Sequence, residues 1–464
     1  MVIDFIEEYK KRMEGIAQAL WNFPELGLEE VQSSRLLMKE LEKFGFTVKG
    51  GIAEMPTAFE ATFGEAKPVV GILAEYDALP GLSNHAVPYR SPVREGAPGH
   101  GCGHNLFGTA SIASAIALKQ VIEKFNLTGM IKLFGTPAEE VCIGKPYMAR
   151  DRCFDGIDVF LDWHPDEITT ACYRTCNAYN SVRFIFHGKS AHGNKPWLGR
   201  SALEAAELMG VSVSFLKGHI DPGNPPDGAA TINYTYTECG KYPNVIPDMA
   251  EAWYVYRIPT RQELEAIHER ILKCAQGAAI ATGTTCQVKV LTGTHELIPN
   301  ERMARLLFSN LELIGPPQFE QEEEKFAKEL QRSYQAKPLG LSSELKPPSG
   351  GSSAVTDSSE PSWFAPYGVV RTTCRPLGIP AHSWGANASH GMAIGQKGMV
   401  SAAKALGLGG VDLLTSPRLL KEAQNEFEER IKGKTYTPAM LKDQKPPLPD
   451  HLREEEKHHL GGNG

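Results

Sequence analysis

Residues 69–74, VVGILA, are six apolar positions in a row, and the run continues into EYDALPG with two acids, Glu75 and Asp77. A strand with one wet face alternates apolar and polar residues. A strand without alternation is covered on both faces, the condition of a largely parallel sheet between layers of helices. The surrounding pattern agrees with that reading. Strands are expected at Phe46–Val48, Ala58–Phe63, 130–134 (MIKLF) and 158–163 (DVFLDW), with helices over 1–22, Leu106–Glu123 and Lys145–Arg150. The alternation predicts an α/β domain, a mixed sheet with helices on both faces.

From Tyr179 the rhythm changes. A strand (SVRFIFHG), a helix (201–220), two strands (TINYTYTE and AEAWYVYRI), a helix (262–280) and a strand (QVKVLT) follow in the order βαββαβ. That is the ferredoxin-like α+β plan, complete within the length of an inserted domain. The first rhythm then resumes, with helices near Glu301–Leu313 and Gln321–Gln335, a Pro/Ser/Gly-rich loop over 337–353, a strand at Val369–Thr373 and a long helix from Gly395. The expected division is 1–178 and 298–432 for the split first domain, 179–297 for the insertion, and 433–464, rich in Pro, Lys and Glu, as an exposed flexible tail.

Bulk properties remove some functions. A net charge of −7 without a basic stripe offers no footprint for nucleic acid. Nowhere do eighteen apolar residues run together, so no membrane span is expected, and the N-terminus lacks the apolar core and cleavage site of a signal peptide. Nine cysteines, an odd number without paired spacing, fit reduced thiols in a cytoplasm.

In open α/β sheets ligands bind at the carboxyl ends of the strands. Here VVGILAEYD ends in Glu75 and Asp77, MIKLFGTPAEE in Glu139 and Glu140, and DVFLDWH in His164, while VVRTTCRPLGIPAH leads to His382. GHGCGHN, residues 99–105, places His100, Cys102 and His104 just before a helix. Five segments therefore bring thiol, imidazole and carboxylate groups to one rim, the donor types of a transition-metal site. They exceed what one tetrahedral ion needs, which suggests two divalent ions sharing a bridge. In an extended loop, alternation puts Cys102 and His104 on one side. Of Glu139 and Glu140, one can bind metal while the other stands over the attacking water as general base, and spacing leaves open which.

Each of these has an ordinary counterpart. A lone intracellular cysteine is more often a small buried hydrophobe, and paired acids often open a helix. His100 is expected to pack or hydrogen-bond. His390 competes with His382, to which the strand leads. The run EQEEEKFAKEL is a charged helix face, and His451, His458 and His459 are expected in solvent.

HGCGHN, EYDALPG, GTPAEE, the WH of 163–164, GIPAHSW, GKSAHGNKPWLGRSA (188–202) and NVIPD (244–248) together resemble the dinuclear metal aminoacylase/carboxypeptidase family of metallopeptidases, over WNFPELGLEE to about residue 405. The resemblance implies a zinc-exopeptidase-like fold with an inserted dimerisation domain, and two divalent ions, zinc or manganese. It implies that Cys102 serves both ions, with His104 and His164 completing one site and Glu140 and His382 the other. Glu139 would be the general base, and Asp77 would orient a ligand from behind. His192 would reach across a dimer to the developing oxyanion, and Asn244 and Arg257 would hold a substrate carboxylate.

Asn105 and Glu75-Tyr76-Asp77 depart from the family's HACGHD and DMDALP. Asn105 bears on hydrogen bonding more than on metal binding. With the long Pro/Ser loop, these variants resemble the branch acting on amides of the aminobenzoyl-glutamate kind. The implied activity is hydrolysis of N-acyl or N-aroyl amino acids, by a homodimer or a hetero-oligomer with a related chain. Alternatives are a dipeptidase or carboxypeptidase of the same family, a cysteine hydrolase with Cys102 activated by His100 or His104, and a non-catalytic chain that completes a partner.

Overall fold

The computed structural model describes residues 1–222 and 229–452. In it the VVGILA run forms β3 (Val69–Ala74), buried along its whole length. It is the central strand of a seven-stranded sheet. The sheet also contains β1 (Thr47–Gly50), β2 (Phe59–Phe63), β4 (Met130–Gly135), β5 (Val159–Asp166), β6 (Thr170–Cys172) and β11 (Tyr367–Thr373), in the order β1-β2-β4-β3-β5-β11-β6. The four strands β4, β3, β5 and β11 are mutually parallel, and antiparallel strands close both edges.

Successive residues of β3 point to opposite faces, and each face has its own core. Val70, Ile72 and Ala74 pack with Leu106, Ile116, Leu307 and Leu406 from the helices His104–Phe125, Glu301–Ile314 and Ala393–Thr415. Val69 and Leu73 pack with Phe134, Phe160, Tyr147 and Met148, the last two from the helix Gly144–Arg150. His104–Phe125 is long and apolar enough to cross a membrane, but it is a core helix buried in this packing.

The ferredoxin-like plan is present. It comprises β7 (Ala178–His187), a helix (Ala202–Lys217), β8 (Thr231–Glu238), β9 (Met249–Ile258), a helix (Arg261–Thr282) and β10 (Thr285–Thr294), in an antiparallel sheet of order β8-β9-β7-β10. Both helices cover one face, so β9 alternates. Ala250, Ala252, Tyr254 and Tyr256 are buried, while Trp253, Val255 and Arg257 stand on the partly open face. Ser201 caps the first helix through Glu204 N, and Thr260 with Glu263 forms a capping box on the second.

Residues 434–452, the described part of the segment, correct the expectation of an exposed tail there. Met440, Leu448 and Leu452 are buried, and the Tyr436 hydroxyl donates to Glu360. The Gln444 amide donates to the Tyr147 hydroxyl and to the Val290 carbonyl, both at 2.8 Å. A proline-rich segment makes few hydrogen bonds of its own, so it can lie extended along a body that supplies partners. His458 and His459 lie outside the described residues.

Candidate metal centre

The four parallel strands end on one edge, and each delivers a group there. β3 leads into Glu75 and Asp77, β5 carries His164, and β11 leads through a loop to His382. β4 leads into a single 3-10 turn, Glu139–Val141, held between two left-handed residues, Ala138 (φ 58°) and Cys142 (φ 53°). Left-handed backbone costs a non-glycine residue about 1 kcal/mol or more, so it persists where surrounding groups hold it. The buried carboxyl of Glu30 supplies one hold, accepting the Ala138 N–H at 2.8 Å. Burial and the neighbouring Asp77 push that carboxyl up to about 8.

The glycines of GHGCGHN also have specific tasks. The helix opens at His104, two residues before the expected start, so Cys102 and His104 are not successive positions of an extended loop. A left-handed step at Gly103 (φ 91°) turns the chain between them, and a Cβ there would stand 2.9 Å from Pro165 Cγ. At Gly101 a Cβ would meet Leu82 Cδ1 at 2.4 Å and His382 Cα at 3.3 Å. The bare backbone lets the His382 loop approach, and His382 N donates to the Gly101 carbonyl at 3.2 Å.

Three triads of donor atoms result, each with its atoms within 4.8 Å of one another: Cys102, His104 and His164; Cys102, Glu140 and His382; and Glu75, His104 and Glu139. Cys102 belongs to the first two. Its Sγ lies 3.3 Å from His164 Nε2, and Glu140 Oε2 lies 3.3 Å from His382 Nε2. Ligands bound at about 2.1–2.3 Å to one tetrahedral ion stand roughly 3.4–3.7 Å apart, so a small outward shift admits an ion. The imidazoles are aimed from behind. His104 Nδ1 donates to Asp77 Oδ1 at 2.8 Å, and His164 Nδ1 to the Pro165 carbonyl at 2.8 Å, which leaves each Nε2 toward the rim. The other oxygen of Asp77 accepts the Glu140 N–H at 2.9 Å.

The donor set fits divalent cations on a second ground. Glu140 Oε1 is buried with no hydrogen-bond partner, and His104 Nε2 and Glu75 Oε2, 3.2 Å apart, have no hydrogen-bond partner elsewhere; buried polar atoms rarely remain so. Burial and Glu75 push Glu139 up to about 7, and burial and Glu139 push Glu140 up to about 9. Burial and Glu140 also push the Cys102 thiol well up. The rim thus gathers more acid groups than its own cations balance, and a bound cation reverses each of these shifts.

His100 and His390 are buried and tied to backbone, His100 Nε2 to the Leu20 carbonyl at 3.1 Å and His390 Nδ1 to the His100 carbonyl at 2.8 Å. Asn105 likewise donates to the Ala17 and His390 carbonyls. The residues expected from the inserted domain lie apart from the rim. His192 and Asn244 are exposed on a small ribbon in which Ala191–His192 pairs with Val245–Ile246. Arg257 sits over the Tyr179 ring at 5.5 Å, near the end of β9 and paired with the start of β7, where the chain enters the inserted sheet. Among the described residues, no hydrogen bond or ion pair joins these three to the rim.

Sequence reasoning missed a buried group behind the rim. Lys145 Nζ reaches Glu75 Oε1 at 2.7 Å and Asp357 Oδ1 at 2.5 Å, and the Ser358 hydroxyl donates to Glu75 Oε1 at 3.2 Å. The Thr356 hydroxyl donates to Glu139 Oε1 at 2.7 Å. The stretch VTDSSEP that supplies three of these residues reads in sequence as ordinary loop.

Comparison with known proteins agrees with this geometry. Residues 71–376 match peptidase family M20/M25/M40. The chain is 33% identical to one of the subunits of p-aminobenzoyl-glutamate hydrolase from Escherichia coli (strain K12), over 93% of this chain and 95% of that one. It is 27% identical to the Xaa-Arg dipeptidase of Mus musculus, over 92% and 91%. Among solved structures, a dinuclear metal binding peptidase of Bacillus subtilis superposes with a TM-score of 0.58 at 17% identity, over 88% of this chain and 99% of that one. An aminobenzoyl-glutamate utilization protein from Klebsiella pneumoniae does so with 0.60 at 15%, over 89% and 98%. The chain belongs to peptidase family M20/M25/M40 and is a metal-dependent hydrolase of linear amides.

Proposed function

We propose that this protein cleaves the amide bond of N-acyl or N-aroyl amino acids, amides of the aminobenzoyl-glutamate kind foremost, with two divalent ions held in the first two triads. The observation that carries this is the pair of donor triads sharing Cys102; Glu139 stands beside that pair, in the third triad with Glu75 and His104. Thiolate and imidazole suit zinc, and the carboxylates suit manganese. When bound, such ions acidify water and polarise an amide carbonyl.

The chain's own groups supply the proton transfers and the grip on substrate. Glu139 Oε2 stands 3.9 Å from His104 Nε2, at the rim. Its carboxylate takes the proton of the attacking water and passes it to the departing amine nitrogen. Asp77 holds His104 in the tautomer that faces the rim. His192, exposed on its ribbon, donates to the developing oxyanion of a neighbouring chain. Arg257 and Asn244 hold the substrate carboxylate.

The Escherichia coli relative's name supports the aroyl-glutamate substrate. That relative is named as one member of a multi-chain hydrolase, which supports an assembly here, either a homodimer or a hetero-oligomer with a related chain. The helix Ala202–Lys217 exposes Leu208, Val211 and Phe215 beside Tyr234, an apolar face that a second chain would cover. Nine free cysteines fit a cytoplasmic setting. Cys102 as nucleophile lacks support, because its thiol is pushed up and His100 is engaged with backbone.

Elemental analysis of the purified chain, with hydrolysis of a panel of N-acyl and N-aroyl amino acids with and without chelator, tests the proposal. Close to two ions per chain and chelator-sensitive cleavage of aroyl-glutamates are expected. Activity indifferent to chelation would overturn it.

A further inference from the structure

We infer that Thr356 is a positioning residue for Glu139, fixing the carboxylate that serves as base. This rests on the proposed role of Glu139. The 3-10 turn sets the Glu139 backbone, but a glutamate side chain still has three torsions to fix. Among the described residues, the Thr356 hydroxyl makes the one hydrogen bond to that carboxylate, at 2.7 Å to Oε1. With Oε1 held, Oε2 is the oxygen left toward His104 and the rim.

The direction of the bond is determined. Thr356 Oγ1 accepts the Ser358 N–H at 3.1 Å, so its hydrogen is free to go to Glu139. A threonine χ1 is stiff, and here the loop around it is stiff as well. Asp357 grips both the Nζ and the backbone N of Lys145, at 2.5 and 3.1 Å. Ser358 grips Glu75. Further on, Glu360 accepts the His295 N–H at 2.7 Å, and the Ser362 hydroxyl accepts the Ile298 N–H at 2.9 Å. Three consecutive side chains thus each hold a group at or behind the rim, and Thr356 is the one that touches Glu139.

The test uses the full-length, metal-loaded enzyme. Thr356→Val keeps the shape and removes the hydroxyl; Thr356→Ser keeps the hydroxyl. The valine variant should lose about 10–100-fold in kcat, with KM and bound metal as in the parent, and the serine variant should recover most of that loss. In a Glu139→Gln background the valine change should add nothing further. A valine variant within two-fold of the parent kcat overturns the inference. So does the same fold loss in the Glu139→Gln background, or loss of bound metal. Should the valine variant not fold, Thr356→Ala carries the same expectations. Full turnover by Glu139→Gln alone would overturn the base assignment itself, a separate failure.

Discussion

The rim of the seven-stranded sheet and the outer ribbon of the inserted domain carry similar side chains, imidazoles and hydrogen-bonding groups, in opposite settings. At the rim, Cys102, His104 and Glu139 are buried, and the loops that carry Glu139 and His382 adopt left-handed backbone. His104 and His164 are each aimed by a bond on the far nitrogen. On the ribbon, His192 and Asn244 stand in solvent, and His192 Nδ1 merely accepts the Asn194 N–H at 3.1 Å. Orientation is built into the first site within one chain. The proposed role of His192 across a dimer therefore requires a second chain to supply that orientation.

The largest expected effect tests the division of labour within the rim. Glu139→Ala should lower kcat about 1,000-fold, near the middle of what a positioned general base contributes, while both ions stay bound. Glu140→Ala should lose an ion, because its carboxylate belongs to one of the two triads that share Cys102. Steady-state kinetics alongside elemental analysis reads both. Loss of metal from Glu139→Ala would make that residue a ligand and erase the distinction.

A smaller effect tests the ribbon. His192→Ala should lose about 100-fold in kcat with its metal intact, the scale of one oxyanion donor. Mixing it with Glu139→Ala should then restore activity, since a mixed dimer has one site with an intact rim and an intact His192 from its neighbour. Mixed preparations that stay inactive would return His192 to its own chain, or to no role.

How much of this the sequence reveals depends on whether a residue's partners leave a periodic trace. The unbroken run Val69–Ala74 announced a strand covered on both faces, and the alternation in β9 announced one covered face. The rim donors were legible because strand ends are where such sheets place ligands. The start of the helix at His104 was not, since it turns on a left-handed Gly103 that no pattern marks. Thr356 lies 217 residues from Glu139 in sequence, in a run of small polar residues without period. Lys145 is fully buried between two carboxylates, where composition expects a lysine in water. The docking of residues 434–452 was hidden for a similar reason, because its partners are supplied by distant parts of the body.

The smallest effect compares an ion pair beside the rim with one on the sheet of the inserted domain. Asp166, two residues beyond His164, takes Arg371 Nη1 at 2.7 Å and Arg375 Nη2 at 2.9 Å. Burial alone would raise its pKa, but the two guanidiniums outweigh burial and hold it at about 2. A carboxyl whose folded value lies below its unfolded value, about 3.9, adds stability that is complete above that value and lost as pH falls through 2. Asp166→Asn should therefore cost ~2–3 kcal/mol at pH 7 and almost nothing near pH 2. Glu251 pairs with Arg183 at 3.0 Å on the partly open face of the inserted sheet, where Arg183 also lies over Trp253. There the carboxylate has one guanidinium partner rather than two, and Arg183 is about a third exposed, so Glu251→Gln should cost less than about 1 kcal/mol, shrinking further with added salt. Denaturant unfolding of both variants across pH and ionic strength decides the matter. Equal costs, or an Asp166→Asn cost that persists at pH 2, would mean that the rim is no better braced than the open sheet, and the contrast between the two regions would lose its physical basis.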